Sequence, residues 1–400
     1  MPLDSQTTQA VAKRSGSKQS SAVMEPLCKD FQSGNLKHSE INDVRRQLMA
    51  EGYKRTEAML FEELFQRLVI RAFKNDIGKI SFGWVGAFAY GSLSYWFRLE
   101  TDSDLWNVCD DAIAKKLQSK KWIKNRKDGS GEFTVSTDVY RVRLCPNKGL
   151  FVFSKRGEDG KFWNEVDENA LRKILKRDGK DVSKIQDSSG SNSGRQERAI
   201  RCLEYLRDSN LKDLSIRRRF MNCLIPGFGW SPIDLDVVHL AEDGQIRYIE
   251  FKRKYPAAGQ EKFGLDEAHV SVMNLMKDVG VASLHILLVS PVWTANADPV
   301  LWYLDVPNFE HKWAWVAATL DEKFIGHDTS MQTEGGDSGH HGGARVQHAI
   351  EWDGCRLLSQ GLGMSESALI SLRDFLASAS MEKLPKIGYD GLRRLTDQCQ

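Results

Sequence analysis

This chain of 400 residues is short of the features that mark several protein classes. Its seven cysteines (Cys28, Cys109, Cys145, Cys202, Cys223, Cys355 and Cys399) are scattered, and no two form a Cys-x-x-Cys pair. That spacing excludes the usual zinc sites. An odd, dispersed set predicts reduced thiols in a cytoplasmic protein. Charge of one sign is also lacking. Lys and Arg number 56 against 54 Asp and Glu, a net charge of +2. A global attraction to polyanions is therefore excluded, and any nucleic-acid footprint must be local. No signal-peptide apolar core opens the chain. The most apolar stretch, Ile80 to Phe97, is interrupted by Gly, Ser and Tyr. It reads as buried strand and turn, so no membrane span is predicted. No internal repeat is visible.

What is present is globular composition, 41% hydrophobic and 28% charged, enough for two or three domains with their own cores. Residues 1–24 are rich in Ser, Gln and Thr and read as a disordered tail. Residues 25–186 read as an N-terminal α+β accessory or recognition domain. It includes an amphipathic helix, Lys54 to Phe73, whose Glu57, Glu62 and Glu63 are predicted on the surface. Asp187 to Gly194 is a linker by composition. Residues 195–325 form the predicted catalytic domain. Residues 326–345, with His340-His341, read as a flexible loop. Residues 346–400 read as a helical C-terminal segment, with helices over 346–360, 365–380 and 389–398.

The most informative stretch is Ser231 to Lys254. It reads as two apolar strands joined by the turn Glu242-Asp243-Gly244, with Gly244 in the φ > 0 position of a three-residue loop. Side chains alternate along a strand, so Asp234 and Asp236 share one face and Glu250 and Lys252 share one face. An odd loop sets Asp236 opposite Glu250 and Asp234 opposite Lys252, about 5 Å apart at Cβ. Buried charges are costly unless paired or holding a metal. Two facing carboxylates call for a cation, and Mg²⁺, a hard ion with oxygen ligands, is the natural choice. Lys252 would position a water or stabilise developing negative charge. The plain structural alternative is a cross-strand ion pair with half-exposed acids.

Pro232-Ile-Asp-Leu-Asp236 followed by Glu250-Phe-Lys252 resembles the core of the PD-(D/E)xK nuclease superfamily, over roughly residues 195–295. Pro232 departs from the simplest pattern, because Ile233 separates it from Asp234. The resemblance implies a restriction-endonuclease-like α/β fold, a mixed sheet flanked by helices. It implies an Mg²⁺-dependent endonuclease, with Mn²⁺ as a substitute ion. Asp236 and Glu250 would hold the metal with the Phe251 carbonyl, Asp234 would support or replace Asp236, and Lys252 would be catalytic. A helix preceding the first strand often supplies a further Glu, and Glu197 is the best match, with Glu204 second. DNA is the implied partner, with RNA as the alternative, and a homodimer is compatible because cutting both strands takes two sites. Restriction, repair, defence and mobile-element roles stay open.

The downstream order agrees: Phe263 to Gly280 has helical spacing with a Gly stop, and Ser283 to Ser290 is an apolar run of strand length. That helix leaves room for Lys262, Glu267 or His269 to reach the site, although a lone His on an apolar face is more often a packing residue. Basic residues Arg253, Lys254, Arg217, Arg218, Arg219 and Lys121 are candidates for phosphate contact, with solvated faces as the alternative.

A second stretch, Val85 to Leu105, resembles the polymerase-β-like nucleotidyltransferases. An apolar strand leads to Gly91-Ser92 and then to Asp102-Ser103-Asp104, with Asp138 as a third acid. In that reading Ser92 approaches a triphosphate and Asp102 and Asp104 bind Mg²⁺. Ser103 stands where that family has an apolar residue. The alternative is that Thr101 to Asp104 caps a helix beginning near Leu105. The expectation carried forward is a metal-dependent DNA nuclease. The alternatives are this transferase or a non-catalytic nucleic-acid-binding protein on a degenerate nuclease fold.

Overall fold

Stripes of apolar side chains, at helical or strand spacing, pack ten named helices on one another and on two large sheets in a computed structural model. It describes residues 30, 36–51, 53–89, 92–102, 104–119, 121–125, 132–145, 148–174, 193–206, 211–256, 261–294, 297–321, 325–334 and 344–396. The helices are α1 (Ile41–Ala50), α2 (Tyr53–Ala72), α3 (Val108–Ser119), α4 (Glu168–Ile174), α5 (Ser193–Leu206), α6 (Leu211–Arg219), α7 (Glu267–Asp278), α8 (Pro299–Leu304), α9 (Glu366–Ser378) and α10 (Tyr389–Thr396). The strands begin with β1 (Ile80–Ser81), β2 (Trp84–Ala89), β3 (Ser92–Glu100), β4 (Lys121–Asn125), β5 (Glu132–Ser136), β6 (Asp138–Cys145), β7 (Leu150–Arg156) and β8 (Phe162–Asp167). They continue with β9 (Ser231–Leu235), β10 (Val237–Leu240), β11 (Ile246–Arg253), β12 (Phe263–Asp266), β13 (Val281–Val289), β14 (Ala314–Thr319), β15 (Ile325–Glu334), β16 (Ala344–Ile350) and β17 (Cys355–Gln360).

The first six-stranded sheet has the order β1-β10-β11-β13-β14-β17, and the second β8-β7-β6-β3-β2-β9. Both are mixed: β11 runs parallel to β13 and β3 parallel to β6, while their other neighbours are antiparallel. A three-stranded sheet, β12-β16-β15, and the hairpin β4-β5 complete the set. The architecture is thus mixed α/β.

The boundary drawn at 187–194 does not divide the sheets. Strand β1 precedes it yet edges the first sheet, and β9 follows it yet edges the second. The chain crosses from one sheet to the other at Asp236, where β9 leaves β2 and β10 joins β11. Residues 1–24 and His340-His341 lie outside the described residues, as does most of the linker, 187–192; Ser193 already opens α5. Two further expectations are corrected. Residues 346–360 are not helical: β16 and β17 pair there, because a short apolar run packs equally well as a buried strand. The stretch 326–345 is not simply loop, since β15 and β16 pair across it. The helices expected near 365–380 and 389–398 are α9 and α10.

Helix α2 presents Phe61, Phe65, Leu68 and Val69 as one apolar stripe to the first sheet, against Ile249, Phe251, Ile286 and Trp315. Helix α7 covers the opposite face through Val272, Leu275 and Met276, meeting Val238, Ile246 and Tyr248. Helix α7 connects the parallel neighbours β11 and β13, as a parallel pair requires. A third core fills the second sheet, where Phe97, Phe151 and Phe153 surround Phe220. Among the described residues no helix is long and apolar enough to cross a membrane. Cys109, Cys145, Cys202 and Cys355 are free thiols, whereas Cys223 is disulfide-bonded, which corrects the expectation of thiols throughout. Scattered cysteines can still meet once the chain folds.

Candidate metal centre

The turn Glu242 to Gly244 fixes the geometry of the site. Gly244 takes φ 78°, and the Ala241 N–H donates to the Gln245 carbonyl at 2.9 Å. The resulting register pairs Val237 with Ile249 and Val238 with Tyr248. Continued one residue, it sets Asp236 level with Glu250. The odd loop length therefore does place the two carboxylates together, at the point where the chain changes sheets.

Asp236 is 4% exposed, and its Oδ2 accepts the Phe251 N–H at 2.6 Å. Glu250 is buried, paired with Lys252 Nζ at 2.5 Å and with His269 Nδ1 at 3.1 Å. The Tyr248 hydroxyl also donates to it. Lys252 lies 4.0 Å from Asp236, and its side chain is 40% exposed, so it marks the open side of the site. Behind Glu250, His285 Nδ1 is 2.8 Å from its backbone carbonyl.

The third carboxylate is Glu62, expected on the surface of the amphipathic helix and found in the cluster instead. Glu62 of α2, Asp234 of β9 and Asp236 offer oxygens that all lie within 4.8 Å of one another. Packing of Phe61 and Phe65 on the first sheet turns Glu62 toward the β9–β10 junction. In the folded chain α2 buries residues nearly all round, including the polar Thr56, Glu57, Glu63 and Gln66. Acids on such a helix are poor candidates for a plain solvent face.

Glu197 is corrected. Helix α5 buries Ala199, Ile200 and Leu203 against α1 and the first half of α2, which carries Glu197 away from the cluster. Its carboxylate pairs with Arg45 at 2.5 Å and Arg201 at 3.3 Å, and Glu204 also holds Arg45. His269, read as a packing residue, instead contacts Glu250. Lys262 pairs with Glu351, and Glu267 with His348. Phe251 sends its ring into the core, stacked on Phe65 at 4.8 Å.

Most of the basic candidates are engaged inside the molecule. Arg253 lies over the Phe61 ring, and Lys254 donates to the Gly264 carbonyl at 2.6 Å. Arg218 holds the buried Glu51 at 3.0 Å, and Arg219 is buried over the Phe151 ring. Of that basic run, Arg217 makes an ion-pair contact with the cluster, Nη1 3.7 Å from Glu62 Oε1, and the charge of Arg218 acts on Glu62 and Asp234 as well. The side chains of Lys121 and Ser92 lie outside the described residues.

The electrostatics follow from burial and proximity. Burial, with the charge of Glu250, raises the Asp236 carboxyl well above its ordinary value. Burial and the charge of Asp234 raise Glu62. Burial works against ionised Glu250 too, but His269, Lys252 and the Tyr248 hydroxyl outweigh it and hold the carboxyl at about 2. Burial lowers the His269 imidazole against the pull of the Glu250 carboxylate. Burial also opposes the Lys252 ammonium, yet Glu250 and Asp236 raise it above its ordinary value. The cluster thus combines a stable ammonium with carboxylates whose repulsion a cation would relieve.

The acids of the transferase reading are separately engaged. Asp104 pairs with Arg98 at 2.6 Å, Asp102 with Lys212 at 2.6 Å, and Asp138 with Lys155 at 2.8 Å. Among the described residues they form no metal-binding group. Nor do Thr101, Asp102 and Asp104 cap a helix among the described residues. Asn107 accepts from the Cys109 N–H at 2.8 Å, and Asp110 accepts from the Asn107 N–H at 2.9 Å, a reciprocal cap for α3. No family model, curated protein or solved structure matches this chain.

Proposed function

We propose that this chain is an Mg²⁺-dependent nuclease that hydrolyses phosphodiester bonds of DNA on a restriction-endonuclease-like core. The supporting observation is the convergence of Glu62, Asp234, Asp236, Glu250 and Lys252 from α2, β9, the β9–β10 junction and β11. The donor set fits a hard cation, since it consists of carboxylate oxygens within a few ångströms and contains no thiolate. Glu62, Asp234 and Asp236 would hold the ion, with Glu250 and the Phe251 carbonyl beside them. When bound, Mg²⁺ would supply positive charge to a phosphate oxygen.

The chain's own residues carry the rest. Lys252 keeps its proton, so it donates hydrogen bonds to the attacking water or the developing charge and is not the base. Glu250 holds the Lys252 ammonium in place, and the Tyr248 hydroxyl holds Glu250. Asp236 ties the metal ligands to β11 through the Phe251 N–H.

The test is incubation of supercoiled plasmid, linear duplex, single-stranded DNA and RNA with Mg²⁺, Mn²⁺ or EDTA, for wild type, Asp236→Ala and Lys252→Ala. The expected result is metal-dependent cutting that falls at least about 100-fold in each variant. Cutting that survives both substitutions, or none under any condition, would sink the proposal.

A further inference from the structure

We infer that Arg217 is a phosphate-binding residue of this site, resting on Glu62 while no metal is bound and turning to a non-bridging oxygen of the scissile phosphodiester once one is. The inference rests on the nuclease reading. The last turn of α6 carries three consecutive arginines, and the fold gives each a different fate. Arg218 is locked on Glu51 at 3.0 Å, and the same carboxylate receives two bonds from Asn222 at 2.7 Å. Arg219 is buried over the Phe151 ring. Arg217 is 14% exposed and faces the carboxylate cluster, yet its 3.7 Å approach to Glu62 is too long for a hydrogen bond.

A second acid near Arg217, Asp104, is already claimed by Arg98 at 2.6 Å. Among the described residues no carboxylate is hydrogen-bonded to this guanidinium, and it acts on the cluster by charge, as Arg218 does from its place on Glu51. A divalent cation among Glu62, Asp234 and Asp236 would take over that neutralisation and repel Arg217. The planar fork of an arginine matches two phosphate oxygens, and a side-chain rotation suffices to re-aim it. In this arrangement Arg217 and Lys252 flank the bound phosphate, one fixed by Glu250 and one free to follow the substrate.

The experiment titrates Mn²⁺ into the full chain, followed by its electron spin resonance signal, and measures plasmid nicking in Mg²⁺. Wild type, Arg217→Gln, Arg217→Lys and Asp236→Asn are compared. Arg217→Gln is expected to bind Mn²⁺ as tightly as wild type or several-fold tighter, while kcat/KM for nicking falls about 10- to 100-fold. Arg217→Lys is expected to recover part of the nicking, because it restores charge without the fork. Loss of Mn²⁺ binding in step with nicking would make Arg217 a structural prop and overturn the inference, as would unchanged nicking. A wild type that binds no Mn²⁺, and so equals Asp236→Asn, would instead overturn the metal centre itself and this inference with it.

Discussion

Asp236 bears an electrostatic conflict. It is a buried carboxyl facing Glu250, with Glu62 and Asp234 close by. An acid whose pKa is raised by folding holds its proton more tightly in the folded chain than in the unfolded one. Its contribution to stability is therefore lost as pH rises from the ordinary value of 3.8 through the raised folded value. In EDTA, Asp236→Asn should melt at a higher temperature than wild type at pH 8, and the gap should close toward pH 4. Adding Mn²⁺ should stabilise wild type alone, by about 2.7 kcal/mol at a hundred times the dissociation constant. Thermal unfolding across pH, with and without metal, checks both. A variant no more stable than wild type at pH 8 would mean that the carboxylates are not in conflict.

The element that brings Glu62 into the site is α2, and its hold on the first sheet runs through Phe65. That ring stacks on Phe251 at 4.8 Å and 11°. Phe65→Ala should cost about 3–5 kcal/mol in denaturant unfolding. It should also weaken Mn²⁺ binding, because α2 would no longer fix Glu62. Phe151→Ala, in the core of the second sheet, should cost as much stability but leave Mn²⁺ affinity unchanged; equal loss of affinity in both would break the link between α2 and the site. The contrast also shows what local sequence can carry. The parity of a three-residue turn sets the register of β10 and β11, so Asp236 and Glu250 could be paired from sequence. Glu62 could not be assigned, because it lies 172 positions before Asp234 and nothing local separates it from Glu57 and Glu63. Glu197 lies on a helix that precedes the first strand, as the resemblance asks, but the apolar stripe of α5 commits that helix to α1 and α2. The strands β16 and β17 are not legible in the sequence for a related reason: short apolar runs take their form from the neighbours they meet.

At the scale of the whole molecule, the two sheets interlock. Strand β1 serves the first sheet and β9 the second, and the chain crosses between them at Asp236. The site is thus composed from both halves of the chain. Residues before the linker supply Glu62, and residues after it supply Asp234, Asp236, Glu250 and Lys252. A reading that confines the chemistry to residues 195–325 would place the helical acid on Glu197. One measurement separates the two: the rate of Mg²⁺-dependent plasmid nicking by Glu62→Gln beside Glu197→Gln. Glu62→Gln is expected to lose about 10-fold or more through weakened metal binding. Glu197→Gln, which breaks half-exposed surface ion pairs worth at most about 1 kcal/mol, is expected to nick like wild type. Full activity in Glu62→Gln, or loss confined to Glu197→Gln, would contradict a centre built by α2 and the β9–β11 strands.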